Sequence, residues 1–235
     1  MKFIYVLTLI FYFTISIVQA QCTHADYAGL MELYYSTGGS NWMDNTGWKQ
    51  GAAGTNCNPC SGWRGVDCDQ SNRVTGLNLS ANNLTGALPA TLNLSKLSIF
   101  TCNGNQLIGS IPNFTSLPNL ENFSCYGNQL TGSIPNFTNL PNLKSFNCSN
   151  NQLTGSIPNF TNLPNLVDLF CSSNHLTGFL PDLINCDLLN FIYLDNNNLS
   201  GCIPNIYCER GLVTLFENPK LPFQGDLLKY CESGG

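Results

Sequence analysis

The chain is dominated by a repeat of fixed length. The segment LTGSIPNFTNLPNL, which begins at Leu130, recurs unchanged from Leu153. When the copies are aligned on the Leu-Thr-Gly triplet and its variants, six leucines fall 23 residues apart: Leu84, Leu107, Leu130, Leu153, Leu176 and Leu199. A unit that repeats at this period cannot bury its apolar side alone, so it must stack on its neighbours. The sequence therefore predicts six stacked coils.

Each copy contains one short strand with an apolar inner side. In the third copy, Phe123 and Cys125 are two residues apart and therefore point to the same side of a strand. The equivalent pairs are also apolar, and we expect them to face the core: Leu77 and Leu79, Phe100 and Cys102, Phe146 and Cys148, Leu169 and Cys171, Ile192 and Leu194. The pattern L-x-x-L-x-L-x-x-N-x-L at a period of roughly 20 to 29 residues is the signature of a leucine-rich repeat.

An asparagine stands two positions before every aligned leucine. The six residues are Asn82, Asn105, Asn128, Asn151, Asn174 and Asn197. Backbone groups at the strand ends of a tight coil turn inward and need partners, and a side-chain amide both donates and accepts hydrogen bonds. We therefore predict a ladder of asparagines along the whole stack.

The Leu-Thr-Gly-x-Ile-Pro element follows the ladder in each coil. Its glycine permits a turn, and its proline stops regular structure. After it, a phenylalanine fills the convex side of the core in three copies: Phe114, Phe137 and Phe160.

Charge and the N-terminal residues narrow the choice of function. The formal net charge of −5, with only 10% charged residues, leaves no basic surface for a nucleic acid. Residues 1–20 combine Lys2, an apolar run and a final Ala20, which predicts a secretory signal peptide. The run is shorter than the ~20 residues that a spanning helix needs, which disfavours an uncleaved membrane anchor. We expect a secreted, extracellular monomer with no membrane span after cleavage.

The twelve cysteines fall into three groups of four. The central group recurs once per copy: Cys102, Cys125, Cys148 and Cys171. Parallel strands lie ~4.8 Å apart, so distance alone does not exclude disulfides between them, but stacked side chains do not meet at the required torsion. We therefore favour four buried thiols. The last group allows three pairings, of which we favour Cys186 with Cys202 and Cys208 with Cys231.

The segment before the repeats predicts a cap. Four apolar residues at helical spacing predict a helix that ends at Gly38-Gly39: Tyr27, Leu30, Leu33 and Tyr34. Thr23 is placed to cap the start of this helix, with Asp26 three residues later. The segment CSGWRGVDC then runs from Cys60 to Cys68.

The Leu-Thr-Gly-x-Ile-Pro element and the CSGWRGVDC segment resemble the plant-type leucine-rich repeat proteins, which include polygalacturonase-inhibiting proteins and receptor-like kinase ectodomains. The resemblance implies an α/β solenoid, a horseshoe with short parallel strands on its concave face and a disulfide-bonded cap at each end, the N-terminal cap being helical. It also implies that Cys22 pairs with Cys57 and that Cys60 pairs with Cys68. A metal site at Cys57-x-x-Cys60 is disfavoured, because neither histidine lies near it in sequence. The expected ranges are 21–72 for the N-terminal cap, 73–208 for six repeats and 209–235 for the C-terminal cap.

Outward-pointing strand residues lie on the concave face, which is the usual binding surface of a solenoid. This face gathers aromatic and acidic side chains toward its C-terminal end, and the candidate binding residues are Tyr126, Asp168, Phe170, Phe191, Tyr193 and Asp195. Exposed aromatics beside polar groups are typical of protein or sugar recognition. We therefore predict a module that binds an extracellular protein or polysaccharide. The alternative is that some of these aromatics cover the end of the solenoid.

A second surface offers a different function. Beside the strands, hydroxyl side chains recur at the repeat period: Thr85, Ser110, Thr131, Ser133, Thr154, Ser156 and Thr177. Regular hydroxyls on a flat face suit ice or another lattice, which some secreted leucine-rich repeat proteins bind. Ile108, Phe179 and Cys202 interrupt these ranks, and stacking alone already explains the regularity. Lattice binding is therefore the alternative prediction.

No catalytic constellation is visible in the sequence. His24 falls in the cap helix, and His175 occupies a position that holds glutamine in other copies, so we predict neither enzymatic activity nor a cofactor.

Nine Asn-x-Ser/Thr sequons would make the chain a glycoprotein in a eukaryote: Asn78, Asn83, Asn93, Asn113, Asn122, Asn136, Asn147, Asn159 and Asn198. A glycan on Asn122 or Asn147 would obstruct the concave face.

Overall fold

The computed structural model of this protein describes residues 22–48, 57–183, 186–209 and 212–232. The predicted signal peptide, residues 1–20, lies outside this part of the chain. Three α-helices are present in the described part, α1 (Tyr27–Ser36), α2 (Ile206–Glu209) and α3 (Leu227–Glu232), together with two 3-10 helices at Gly39–Asn41 and Pro222–Gly225. None of them is long and apolar enough to cross a membrane.

Eight short strands form one sheet along the solenoid. They are β1 (Val66–Cys68), β2 (Val74–Asn78), β4 (Ile99–Thr101), β6 (Asn122–Ser124), β7 (Ser145–Asn147), β8 (Asp168–Phe170), β9 (Phe191–Tyr193) and β10 (Leu212–Thr214). The first pair is antiparallel and every later pair is parallel. Two further strands pair on the flank, β3 (Thr85–Ala87) and β5 (Gln106–Ile108). The predicted α/β solenoid is therefore the observed fold.

Aromatic rings fill the core of the central coils. The Phe123 and Phe146 rings stack with centroids 6.0 Å apart, and Phe137 meets Phe146 edge-on at 5.0 Å. Phe137 and its repeat equivalents, Phe114 and Phe160, have positive φ angles of 47°, 49° and 50°. A bulky residue adopts this left-handed conformation at a cost of about 1–3 kcal/mol. Complete burial of the ring offsets that cost, because it contributes a similar amount.

The asparagines form a continuous buried ladder. The side-chain Oδ1 of Asn128 accepts a hydrogen bond from the Leu107 N–H at 3.0 Å. Its Nδ2 donates to the carbonyls of Cys102 and Cys125, each at 3.0 Å. One side chain thus joins its own coil to the preceding coil. The same bonds recur at Asn105, Asn151, Asn174 and Asn197. All six rungs are buried: Asn82, Asn105, Asn128, Asn151, Asn174 and Asn197.

The ladder ends on partners outside the six repeats. At the N-terminal end, the backbone of Asp44 takes the place of a preceding coil: its N–H donates to Asn82 Oδ1 and its carbonyl accepts from Asn82 Nδ2. At the other end, Asn218 forms a seventh rung, which accepts from Leu199 N–H and donates to the Leu194 carbonyl. The segment after the sixth repeat therefore begins as a further coil, which sequence analysis missed.

A second asparagine ladder runs along the convex side. Asn119, Asn142 and Asn165 each donate from Nδ2 to a backbone carbonyl of the preceding coil, at 2.7, 3.0 and 2.9 Å. These residues come from the repeated Leu-Pro-Asn element, and all three bonds are exposed. The convex turns are therefore linked as regularly as the concave strands.

The N-terminal helix is anchored by a buried ion pair. The prediction that Thr23 caps this helix was wrong, because α1 begins at Tyr27 and Asp26 is its N-cap residue. The Asp26 side chain does not cap the helix either: it is fully buried and accepts bonds from Arg73 Nε, Arg73 Nη2 and the Val74 N–H at 2.7–3.0 Å. Burial alone would raise the pKa of Asp26, but these bonds hold it below its ordinary value.

Disulfides close both caps. The structure joins Cys22 to Cys57 and Cys60 to Cys68 in the N-terminal cap, and Cys208 of α2 to Cys231 of α3 at the other end. The predicted disulfide between Cys186 and Cys202 is wrong. Cys202 is an exposed free thiol on the flank, whereas Cys186 is buried with its Sγ 3.6 Å from the Phe160 carbonyl. The four cysteines of the central repeats are buried free thiols, as predicted: Cys102, Cys125, Cys148 and Cys171.

The ion pair predicts a specific pH dependence of stability. Because the folded pKa of Asp26 is depressed, the pair stabilises the fold above pH ~4, and this contribution is lost as pH falls through the folded pKa. Asp26→Asn should lower the free energy of unfolding at pH 7 by about 3–5 kcal/mol. Glu121→Gln, which breaks the exposed pair with Lys144, should cost less than about 1 kcal/mol.

Denaturant unfolding between pH 2 and pH 7 measures both variants. The difference between wild type and Asp26→Asn should shrink below pH ~4. A difference that is constant over this pH range, or equal losses in the two variants, would contradict the role of the pair.

The revised cysteine assignment predicts one fast thiol. In the native protein, an aromatic disulfide reagent should react rapidly with Cys202 because it is exposed, and slowly with the buried thiols. Cys202→Ser should abolish the fast phase, and guanidinium should release the slow thiols. If native wild-type protein shows no fast-reacting thiol, the result would contradict a free Cys202 and support the Cys186–Cys202 disulfide.

Candidate functional site

The parallel register aligns outward side chains into three ranks on the concave face. The first rank contains Gly76, Ile99, Asn122, Ser145, Asp168 and Phe191. The second contains Asn78, Thr101, Ser124, Asn147, Phe170, Tyr193 and Thr214. The third lies just beyond the strands and contains Ser80, Asn103, Tyr126, Ser149, Ser172, Asp195 and Phe216. Neighbours within a rank are separated by one strand spacing, about 4.8 Å.

The last coils gather the aromatic side chains of this face. The Phe170 and Tyr193 rings contact each other with centroids 4.9 Å apart and planes tilted by 48°. Both rings are half-buried, and Phe191 in the first rank is 37% exposed. Because the three residues lie on adjacent strands of a packed sheet, their ring positions are fixed before any partner arrives.

Two carboxylates and one further aromatic complete this cluster. Asp168 pairs in register with Phe191, and Asp195 accepts a hydrogen bond from the Thr214 hydroxyl. Phe216, which is 52% exposed, follows Asp195 in the third rank. We call this cluster the acidic–aromatic patch; it consists of Asp168, Phe170, Phe191, Tyr193, Asp195 and Phe216.

Sequence analysis missed one member of the patch, and one of its candidate binding residues, Tyr126, lies on the same face outside the patch. Phe216 was overlooked because the seventh coil departs from the 23-residue period, although Asn218 at its end signals another rung. Tyr126 is 45% exposed on the same face but lies three coils before Asp195, about 14 Å away across the strands. The structure therefore does not bring Tyr126 into the patch.

A polar cleft occupies the opposite end of the concave face. Its volume is about 620 Å³, and it lies between the N-terminal cap and the first coil. Asp44 and Arg64 form an exposed ion pair of 3.2 Å at its wall, beside Asp67 and Asn78. Sequence analysis did not predict this cleft, because it arises where β1 folds back antiparallel onto β2.

The flank presents the predicted hydroxyl ranks. The β3–β5 pairing continues as backbone bonds of 2.8 Å from Thr131, Thr154 and Thr177 to the preceding coil's glycine, so these side chains follow one another at the strand spacing. Thr85 is half-buried, and the other six hydroxyl residues of the ranks are exposed: Ser110, Thr131, Ser133, Thr154, Ser156 and Thr177. Ile108 and Phe179, exposed by 51% and 74%, interrupt the array.

The core thiols are unsuited to chemistry. Burial raises the pKa of the Cys102 thiol to about 12. Burial likewise raises the pKa of Cys125 and Cys148 well above the ordinary value, so these groups stay protonated and apolar. Among the described residues, no group of histidine, cysteine and acidic side chains could hold a metal ion.

Comparison with known proteins agrees with this architecture. A family profile described as "Leucine Rich repeats (2 copies)" matches residues 118–162 and 141–185. The crystal structure of a pollen receptor kinase 3 is 30% identical, with a TM-score of 0.63, and the match covers 72% of this chain and 83% of that one. This chain belongs to the leucine-rich repeat family. No curated protein sequence matches it significantly.

Two further solved structures differ in function. A plant ice-binding protein is 28% identical with a TM-score of 0.69, covering 81% of this chain and 61% of that one. The Arabidopsis receptor kinase HAESA, solved with the peptide hormone IDA and the co-receptor SERK1, is 28% identical with a TM-score of 0.57. That match covers 82% of this chain and 37% of the HAESA chain. The shared fold therefore serves more than one kind of binding.

Proposed function

We propose that this protein is an extracellular binding module that holds a protein partner on the C-terminal half of its concave face. The acidic–aromatic patch is the observation that carries the proposal. Outside the patch, the concave ranks contain small and polar side chains, with Ile99 and Tyr126 as the exposed exceptions. Aromatic residues that are rigid and partly exposed are the usual anchors of protein interfaces.

The location of the patch suits a partner better than it suits a cap. The segment that follows β9 already covers the end coil: β10 extends the sheet, and α2 and α3 are joined by the Cys208–Cys231 disulfide. Phe170 and Tyr193 lie on the sheet face rather than under this covering segment, and they remain half-exposed. Their exposure is therefore available for binding.

The relatives support a protein as the partner class. HAESA was solved with a peptide hormone and a co-receptor, and the plant peptide hormone receptor RGFR1 was solved in complex with RGF2. The three disulfides fit an oxidising compartment, which supports the extracellular location. A polysaccharide partner, also predicted from the sequence, would use the same aromatic rings by stacking.

Truncation of the aromatic anchors should abolish partner binding. Phe170→Ala/Tyr193→Ala removes both central rings, and we expect recovery of the partner from the organism's extracellular fluid to fall at least tenfold. Thr101→Ala/Ser124→Ala changes the same rank near the other end and should leave recovery unchanged. Quantitative mass spectrometry measures the captured proteins, and thermal melting checks that both variants fold. Equal recovery by the two variants would place the partner site elsewhere.

A second candidate function is binding to ice or another repeating lattice through the flank. It is favoured by the regular backbone ladder beneath Thr131, Thr154 and Thr177, which fixes the spacing of exposed hydroxyls. The same ranks, from Thr85 to Cys202, carry no ionisable residue except Cys202, so the surface is uncharged. The similarity to a plant ice-binding protein gives this candidate further support.

Ice binding predicts inhibition of recrystallisation by the purified protein. Thr131→Lys/Thr154→Lys inserts two long charged side chains into the array, and the concentration needed for inhibition should rise at least tenfold. Asn78→Lys, on the concave face, provides a matched control with an exposed lysine away from the flank. Wild-type protein that leaves recrystallisation unchanged would exclude ice as the lattice.

A further inference from the structure

We propose that the segment held by the acidic–aromatic patch is an extended peptide with two basic residues within reach of Asp168 and Asp195, one of them an arginine lying over the Phe170 and Tyr193 rings. The inference rests on the proposed function, since it names the chemistry of the partner at that site. It follows from the charges on the concave face, from the state of the two carboxylates and from the geometry of the rings.

The three ranks of the concave face are acidic and contain no cation. Across the three ranks, from Gly76 to Phe216, the sequence places no lysine, arginine or histidine. The only carboxylates of these ranks are Asp168 and Asp195, and both lie in the patch, whereas Asp44, Arg64 and Asp67 lie at the polar cleft at the opposite end of the face. The whole chain also carries a formal charge of −5. The field at this surface therefore attracts cationic segments and repels acidic proteins or acidic polysaccharides.

The two patch carboxylates differ from several other acids of this protein. Asp26, Asp44, Glu121 and Asp226 each form an ion pair with an arginine or lysine, at 2.7–3.2 Å. Within the described residues, neither Asp168 nor Asp195 has such a cation within ion-pair distance. Asp195 is positioned by the Thr214 hydroxyl, a bond that orients a carboxylate without neutralising it. Both carboxylates therefore retain a negative charge that an incoming cation can pair with.

The ring geometry favours arginine as that cation. Phe170 and Tyr193 are tilted by 48° with centroids 4.9 Å apart, so together they form an angled aromatic seat rather than one flat platform. A guanidinium group stacks on an aromatic face through cation–π attraction and still directs its N–H donors sideways to a carboxylate. A neutral sugar ring would use the aromatic faces but would leave the two charges unused.

The spacing of the carboxylates defines the length of the segment. Asp168 and Asp195 are in adjacent coils and two ranks apart, which places their backbones about 14 Å apart at standard strand dimensions. An extended peptide covers that distance in roughly four residues. We therefore expect two basic residues separated by two or three positions, with the aromatic seat between the carboxylates taking one of them.

An unbiased peptide selection tests the inference. A phage-displayed random heptapeptide library is selected on the immobilised mature protein, and bound clones are sequenced. We expect arginine and lysine together to be enriched at least threefold over the input library, with arginine ahead of lysine. One selected peptide is then synthesised with a fluorophore, together with an analogue in which glutamine replaces each basic residue, and binding is measured by anisotropy.

Matched variants assign the binding to the patch. Asp168→Asn/Asp195→Asn should weaken the selected peptide at least tenfold, and Phe170→Ala/Tyr193→Ala should do the same. Glu32→Gln/Asp67→Asn removes two exposed negative charges outside the patch and should change binding less than threefold. The glutamine analogue should bind wild type at least tenfold more weakly than the basic peptide does, and added salt should reduce this difference.

The possible results separate this inference from the proposed function. If partner capture depends on Phe170 and Tyr193 but the selection shows no excess of basic residues, the inference is wrong and the proposed function stands. The same conclusion follows if Asp168→Asn/Asp195→Asn binds the peptide as well as Glu32→Gln/Asp67→Asn does. Binding of neutral oligosaccharides that is lost only in the aromatic variant would also overturn it. If partner capture does not depend on the patch, the proposed function itself fails.

Discussion

The hydrogen bonds of the buried asparagine ladder are the interaction on which the rest of this solenoid depends. Each strand has only three to five residues, so its own sheet bonds leave many backbone groups to be satisfied as the chain turns into the next side of the coil. Asn128 alone satisfies the Leu107 N–H and two carbonyls, and its neighbours repeat the arrangement. An unsatisfied buried group costs about 1–3 kcal/mol, so the loss of one rung would outweigh most single side-chain contacts.

Because the ladder and the inward residues hold the coils, the outward positions are free to vary. The repeated segment LTGSIPNFTNLPNL supplies the turn, the Phe137 or Phe160 plug and the convex asparagine, so its identity from copy to copy serves stacking. Within the concave ranks, by contrast, the side chain changes from Asn147 to Phe170 and then to Tyr193 without any change of register. The acidic–aromatic patch arises in this variable set, on a backbone that the repeated set makes rigid.

The sequence could predict those parts of the structure in which chemistry repeats. Six asparagines in one register imply a ladder, and period-two alternation assigns each strand residue to the core or to the concave face. The sequence could not predict contacts that occur once. Asp26 reaches Arg73 47 residues away, and local capping rules instead suggested Thr23 as the cap. Asn218 follows Asn197 by 21 residues rather than 23, so the seventh rung and Phe216 beside it fell outside the repeat. The separation of Cys186 from Cys202 depends on the path of the chain between coils, which spacing does not reveal.

Amide hydrogen exchange on the native protein tests the ladder most directly. The N–H groups of Leu107, Leu130, Leu153 and Leu176 donate to asparagine side chains rather than to the backbone. If the ladder holds the coils together, these four amides should exchange as slowly as the Phe123 and Phe146 amides of the central strands. Exchange as fast as that of exposed turn amides such as Thr138 would show that the asparagines fill space without sustaining the fold, and would contradict the account.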